Sequence, residues 1–352
     1  MYRPKLQELA VIFLILLVVV VAIVQFSNTL VRVDSTLVNI QPRSAKEHGS
    51  QHPNIQNIGH LECNSCESCV NALLEANRIA NAMGINVYVT LTRDIGRQNG
   101  SCIKVSGLRV PYKRWIVFDG NGHFIYATHF NPNSSPAIEI NSSTGVSLED
   151  INVQVWDYAG WASSIHLDGV SRVVLHNLVV GFHGYGGSAI RIENSYDVTL
   201  HEVAVPTDPT GSGVVLYNSD SCRLDGVSIA YLDKQMTKNG EDFWADAAAP
   251  LVISFSDGIM LKRIRILRPT LGPAIYANFS NVTLVVDSYS YICSNAESPL
   301  IELGSSSINC ECYSGTIYWH SSDDFIPFYC PCDERVEFNA CKEEVEEWVQ
   351  WP

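Results

Sequence analysis

The chain is 352 residues long and carries a formal net charge of -14 at pH 7. Its hydrophobic share of 46% is that of a folded protein, which excludes wholesale disorder. The acidic balance argues against a nucleic-acid partner, because phosphate binding needs a basic footprint.

Arg3 and Lys5 precede fifteen unbroken apolar residues, Ala10 to Val24. That run fits a signal-peptide core, and adding Leu9, Gln25 and Phe26 makes a marginal membrane span. No small-x-small cleavage pattern follows, so a retained anchor over 10–26 is favoured over a cleaved signal. Basic residues before the segment keep residues 1–9 in the cytoplasm. The expected location is the cell membrane, single-pass, with the main domain extracellular. Residues 27–60 are polar, with scattered Pro, Ser, His and Asn, and read as a linker.

Eleven cysteines are many for a reducing compartment. Cys63, Cys66 and Cys69 cluster near the start, and Cys310, Cys312, Cys330, Cys332 and Cys341 near the end. Thiolates at such spacings can bind zinc or an iron–sulfur cluster. An extracellular domain favours disulfides, with near-neighbour bridges stapling each group and at least one thiol left over. Asn-x-Ser/Thr sequons at Asn99, Asn133, Asn141, Asn278 and Asn281 add weak support for a glycoprotein.

From Cys66 to Met83, Val70, Leu73, Leu74, Ala76, Ile79 and Ala82 recur at helical spacing. This predicts a short amphipathic helix within an N-terminal cap over 61–86. A repeat follows. Ala137–Val155, Ile165–Val180, Ile190–Val205 and Val214–Ile229 share one pattern. Each is apolar-x-apolar, about five turn residues, apolar-x-apolar, two turn residues, apolar-x-apolar. Leu251, Ile253, Ile259, Leu261, Ile264 and Ile266 make a later copy after an insertion near 233–250. Measured at Val146, Val173, Val198 and Cys222, the copies are 27, 25 and 24 residues apart. Three short period-2 strands per copy cannot lie in one flat sheet; they close a triangular coil, and coils stack as parallel sheets. The predicted fold is all-β, a right-handed parallel β-helix over 87–314. The short helix caps its start, and a Cys-rich acidic segment, 315–352, caps its end. Trp348-Val-Gln-Trp351 covers the last coil in this reading, since an open end exposes unpaired strand edges. Cys222 holds a core position and is read as a buried free thiol.

The stretch Val117-Phe-Asp-Gly-Asn-Gly-His-Phe-Ile125 resembles the opening coil of many proteins of the pectate-lyase-like superfamily. So does the preceding pairing of Val87–Leu91 with Cys102–Val105. The resemblance covers roughly 87–312 and implies the fold, while the superfamily spans lyases, hydrolases, epimerases, adhesins and structural proteins. It also implies a cleft on the first strand of each coil. Alternation and coil register then place Glu139, His166 and Arg191 in one outward column, and Asn141, Asp168, Glu193 and Tyr217 in a second. Asp168 and Glu193, with His166 and Arg191, are the candidates for acid–base work. Glu139, Tyr217 and the aromatic turns containing Trp156, Tyr158, Trp161, Phe182, His183 and Tyr185 are candidates for glycan contact. Opposite charges stacked on a sheet also stabilise it without catalysis.

No cofactor is expected; the paired carboxylates leave Ca2+ as an option. The sequence lacks the Asn-Thr-Asp, Asp-Asp and Gly-His-Gly motifs of polygalacturonase-type hydrolases, although Phe182-His-Gly-Tyr and Arg191-Ile-Glu resemble their later motifs loosely. It lacks the Asp-rich calcium site of pectate lyases. An Asn ladder in the second turn is also missing: those positions read Glu149-Asp150, His176-Asn177, His201-Glu202, Asp225-Gly226 and Lys262-Arg263. The favoured function is therefore a membrane-tethered surface protein with a structural, adhesive or glycan-binding role. Its partners are polysaccharide or cell-surface proteins. The alternative is a polysaccharide lyase or glycoside hydrolase working on the first-strand face.

Overall fold

The computed structural model describes residues 58–129, 135–157, 162–184, 187–207, 211–231, 249–267, 273–286, 289–292, 301–303, 306–312, 315–318 and 336–339. Up to Cys312 these form a right-handed parallel β-helix with three faces, and Gly315–Tyr318 pairs with Val336–Asn339 in a separate two-stranded parallel sheet. The first face is an eight-stranded parallel sheet, from Ile103–Ser106 through Ile138–Asn141, Ser163–Asp168, Ser188–Glu193, Ser212–Tyr217, Leu251–Ser254 and Ile275–Asn278 to Ile301–Leu303. The second and third faces join as one sheet because Ser171–Gly184 and Tyr196–Thr207 run through the corner between them.

Period-2 alternation explains the coil. Ile138, Ile165, Ile190, Val214, Leu251 and Ile275 stack inward in one column and are buried. Ile140, Leu167, Ile192, Leu216, Ile253 and Ala277 fill the next. On the second face Val146, Val173 and Val198 are in register, as the repeat spacing requires. Each fully buried aliphatic side chain contributes about 1.5–3 kcal/mol. Among the described residues, one cluster of buried apolar residues extends from Cys63 to Ile292.

The corners need a left-handed residue. The first corner uses Gly107, Ser142, Gly169, Asn194, Asn218, Phe255 and Phe279, and the second uses Asp150, Asn177, Glu202, Gly226 and Arg263, all at positive φ. A serine ladder stitches the first corner from inside. Val170 N–H donates to Ser195 Oγ at 3.2 Å, Ser195 N–H to Ser219 Oγ at 3.2 Å, and Ser219 N–H to Ser256 Oγ at 3.0 Å. Ser256 N–H then donates to Ser280 Oγ at 3.1 Å, and Ser280 N–H to Ser306 Oγ at 2.9 Å. Each rung supplies an acceptor to a backbone donor that the turn removes from the sheet ladder.

The predicted helix spans Cys66–Met83. Ser65 caps it in a reciprocal box with Ser68, and Gly84 ends it in the left-handed region. Its buried stripe is Cys69, Leu73, Ala76 and Ala80, packed on the first coil. Leu74 and Ala82, assigned to the apolar face from sequence, face solvent instead, because the stripe is centred on Cys69.

Several boundaries differ from the sequence reading. A strand runs from Ile58 to Cys63, its first three residues inside the 27–60 stretch read as linker, and pairs with Asn86–Leu91. Val87–Leu91 and Cys102–Val105 are not partners. Asn86–Leu91 pairs with Ile116–Asp119 on the second face, whereas Ile103–Ser106 joins Ile138–Asn141 on the first. Cys63 bridges Cys69, and Cys66 bridges Cys102. Cys102 was not among the disulfide candidates, because it lies 36 residues from its partner and outside either cluster. Cys222 is a buried free thiol whose pKa burial pushes up to about 11. Cys310 and Cys312 lie on the strand Ser307–Cys312, which pairs with Asn281–Val286. Cys330, Cys332 and Cys341 lie outside the described residues, as does the apolar segment 10–26. Among the described residues no helix is long and apolar enough to cross a membrane.

Candidate functional site

On the first face the outward residues fall into the two expected columns. Glu139 pairs in register with His166, and His166 with Arg191. Asn141, Asp168, Glu193 and Tyr217 succeed one another beside them. The inward Ile and Leu neighbours fix this register, since a one-residue slip would bury the charges.

The charges are engaged with each other. Glu193 Oε1 accepts from Arg191 Nε at 2.8 Å, and its Oε2 lies 3.0 Å from His166 Nε2. Glu139 Oε2 lies 2.9 Å from Lys104 Nζ, and its Oε1 accepts from the Asn141 amide at 2.9 Å. Burial pushes both carboxyls up, but these partners outweigh it, and both end below the usual glutamate range. They are ionised carboxylates, flanked by cations. Asp168 accepts from the Asn194 amide at 2.8 Å, and Asn194 in turn accepts from Asn218 at 2.8 Å. A short asparagine ladder thus exists, on the first corner rather than the second. At the second corner a single Asn177–Asp150 hydrogen bond takes its place.

Past Tyr217 the same edge turns aromatic. Tyr217 meets Phe255 edge-on at 5.6 Å, and Phe255 stacks on Phe279 at 5.2 Å. The three rings are 42%, 48% and 54% exposed. Phe255 and Phe279 hold the left-handed corner position, at φ 53° and 48°. Bulky residues are rare outliers in that region. The other coils fill it with Gly107, Gly169, Asn194 and Asn218, residue types that tolerate it, and with Ser142. Sequence alternation missed both phenylalanines because corner residues lie outside the period-2 strands. Their signal was a large apolar residue aligned with Gly169, Asn194 and Asn218.

The predicted aromatic turns are differently placed. Trp156 and His183 are not in turns. They lie outward on third-face strands that continue to Asp157 and Gly184. Phe182 points into the core. Trp156 stacks on Tyr126 at 6.0 Å and on His183 at 5.5 Å, while Tyr126 stacks on Phe124 at 5.5 Å. Gly181 lies beside Gln154, and a Cβ there would sit 2.4 Å from its Oε1, so the bare backbone makes room for that amide to reach His183. Tyr158, Trp161 and Tyr185 lie outside the described residues.

No family model and no curated protein matches the chain. It is similar to solved structures that include an alginate lyase from Paenibacillus, at 9% identity and TM-score 0.29, over 80% of this chain and 99% of that one. Another is the A-module of a mannuronan C-5 epimerase from Azotobacter vinelandii, at 9% identity and TM-score 0.25, over 80% and 100%. A third is a putative glycosyl hydrolase from Parabacteroides merdae, at 10% identity and TM-score 0.24, over 56% and 83%. The parallel β-helix itself rests on the strand register described above.

Proposed function

We propose that the chain is a membrane-tethered extracellular β-helix protein that binds glycans along the first face and its corner. The observation that carries this reading is the Tyr217–Phe255–Phe279 array. Two phenylalanines in the left-handed region cost roughly 1–2 kcal/mol each, and their half-exposed rings add no core. Strain of that kind concentrates at ligand sites. Exposed ring faces carry partial negative charge that suits the C–H groups of a sugar face. Asp168, Glu193 and Arg191 continue the same edge with hydrogen-bonding groups for hydroxyls, and Glu139 and His166 line the adjacent column. The ligand class is a neutral or acidic polysaccharide.

Tethering is supported by the apolar run Ala10 to Val24. An oxidising location is supported by the Cys63–Cys69 and Cys66–Cys102 bridges. The hydrolase alternative needs one carboxyl kept protonated as general acid. Glu139 and Glu193 are both driven the other way, so neither suits that role, and glycan binding is the favoured reading.

The test is a glycan array probed with the full chain, run beside an assay for product release. Binding without release is expected. Asp168→Asn with Glu193→Gln, and separately Tyr217→Ala, should each weaken that binding. If the array is blank, or both variants bind like the parent chain, the first face is a stabilising charge ladder and the proposal fails.

A further inference from the structure

On the second face, a separate cluster lies outside the proposed glycan edge. His176 and His201 are register partners on adjacent parallel strands, and their rings stack at 5.2 Å and 22°. Both are half-buried and outward. Glu202 follows His201 in the left-handed region, at φ 55°. That conformation breaks the strand alternation, so residues 201 and 202 both reach solvent on one side of the sheet. One donor atom from each of His176, His201 and Glu202 falls within 4.8 Å of the other two.

Carboxylates flank the pair along the same column. Glu149 is the register partner of His176, with its Oε1 accepting from Ser147 Oγ at 2.7 Å, and Asp225 is the partner of His201. Arg263 lies 3.4 Å from His201 Nε2, but its Nε donates to Asp225 at 2.6 Å, and Arg223 contacts the other oxygen of Asp225 at 2.7 Å. The cationic side of the column is thus already paired with Asp225. Glu149 and Glu202 leave the imidazoles on the acidic side.

We propose that His176, His201 and Glu202 form a divalent transition-metal site, with Glu149, the register partner of His176, as an additional carboxylate on the same column. Two imidazoles and a carboxylate suit Zn2+ and its neighbours. Tetrahedral zinc has bonds of about 2.0–2.1 Å to nitrogen, so the donors close in by side-chain rotation, with no movement of the strands. The hard cations Ca2+ and Mg2+ prefer all-oxygen sites and are not the expected ligands. The backbone supplies what a metal site needs, because the parallel register fixes the spacing of the two histidines whether or not a metal is present. A metal here would pin two successive coils at the second corner.

The experiment is isothermal titration of the chelator-treated full-length chain, in detergent, with Zn2+ alone. Because cysteines elsewhere in the chain can also bind zinc, the readout is the difference between proteins. The parent chain is expected to take up one more Zn2+ at saturation than a His176→Asn/His201→Asn variant. Excess Ca2+ or Mg2+ should leave that increment unchanged. Glu202→Gln, a surface substitution that leaves the sheet intact, should weaken the same increment by at least about tenfold, the lower end of what losing even an outer partner costs a metal site. Circular dichroism of the metal-free proteins checks that all three are folded alike. If the double variant does not fold, Glu202→Gln decides the matter. Equal stoichiometry and affinity in the parent chain and in Glu202→Gln would overturn the proposal, as would equal zinc uptake by a folded double variant.

Discussion

Replacing Ser219 with alanine tests the serine ladder at its middle rung. Ser219 is wholly buried. Its Oγ accepts from Ser195 N–H at 3.2 Å and donates to the Tyr217 carbonyl at 2.9 Å. That carbonyl also accepts from Asn194 N–H at 3.0 Å, so it keeps a partner when the hydroxyl is lost. Ser195 N–H does not, and it becomes a buried donor without an acceptor. The cost of such an orphan is about 1–3 kcal/mol. The methyl of alanine fits where the Ser Cβ already sits, so no steric cost is added. Urea unfolding of the full chain, followed by circular dichroism, should show a lower midpoint at unchanged slope. The exposed Ser307→Ala serves as the control, expected within about 0.5 kcal/mol of the parent. If Ser219→Ala also falls within that band, the ladder contributes nothing net and the reasoning is wrong.

Other outcomes follow from the same structure. Cys102→Ser opens a bridge between residues 36 apart; in the chain-entropy model this costs about 4 kcal/mol, and thermal unfolding with and without reductant measures it. His129 is 1% exposed, and burial pushes its pKa below the ordinary value of about 6.5, against the pull of Asp157. The unfolded chain therefore takes up that proton first, and stability, complete above about pH 6.5, declines below it. His129→Gln should flatten this limb. Glu139, Glu193 and Asp225 have folded-state pKa values below their unfolded ones. Their contribution holds above roughly pH 4.5 and is lost as pH falls further, so the two windows separate in a pH series of urea midpoints. Cys222 should resist alkylation at pH 8 in the native chain and react only on unfolding, since its thiol is buried with a pKa near 11; mass spectrometry after iodoacetamide treatment reads this directly.

How much was legible from sequence depended on which residues obey alternation. Ile165, Leu167, Ile190 and Ile192 declare the inward face, and once they are aligned the outward columns follow with no freedom left. That is why Glu139, His166 and Arg191 stack as expected. Corners obey no such rule. Ser195, Ser219, Ser256 and Ser280 each follow the last outward residue of a first-face strand by two positions, yet serine in a turn reads as ordinary turn chemistry. Phe255 and Phe279 lie at the first corner too, at positive φ and outside the period-2 strands, so alternation does not reach them. The repeat copy read as Ala137–Val155 stops short of Trp156, which is why Trp156 reads as a turn residue. Instead Asp157 is buried and accepts from Ala162 N–H at 3.0 Å, which carries the strand one residue further. Cys102 pairs with Cys66 through the coil's closure, a contact that local spacing does not encode.

The central claim is that Phe255 and Phe279 occupy a strained corner for the sake of a ligand. Replacing both with asparagine, the residue found at that corner in the coils of Asn194 and Asn218, removes the rings and relieves the left-handed strain. Isothermal titration with the glycan selected on the array, together with a thermal melt of the same samples, measures both consequences at once. The account predicts affinity lower by tenfold or more, about 1.4 kcal/mol, with a melting temperature equal to or above that of the parent chain. Unchanged affinity with a lowered melting temperature would contradict it, because the rings would then serve the fold and not a ligand.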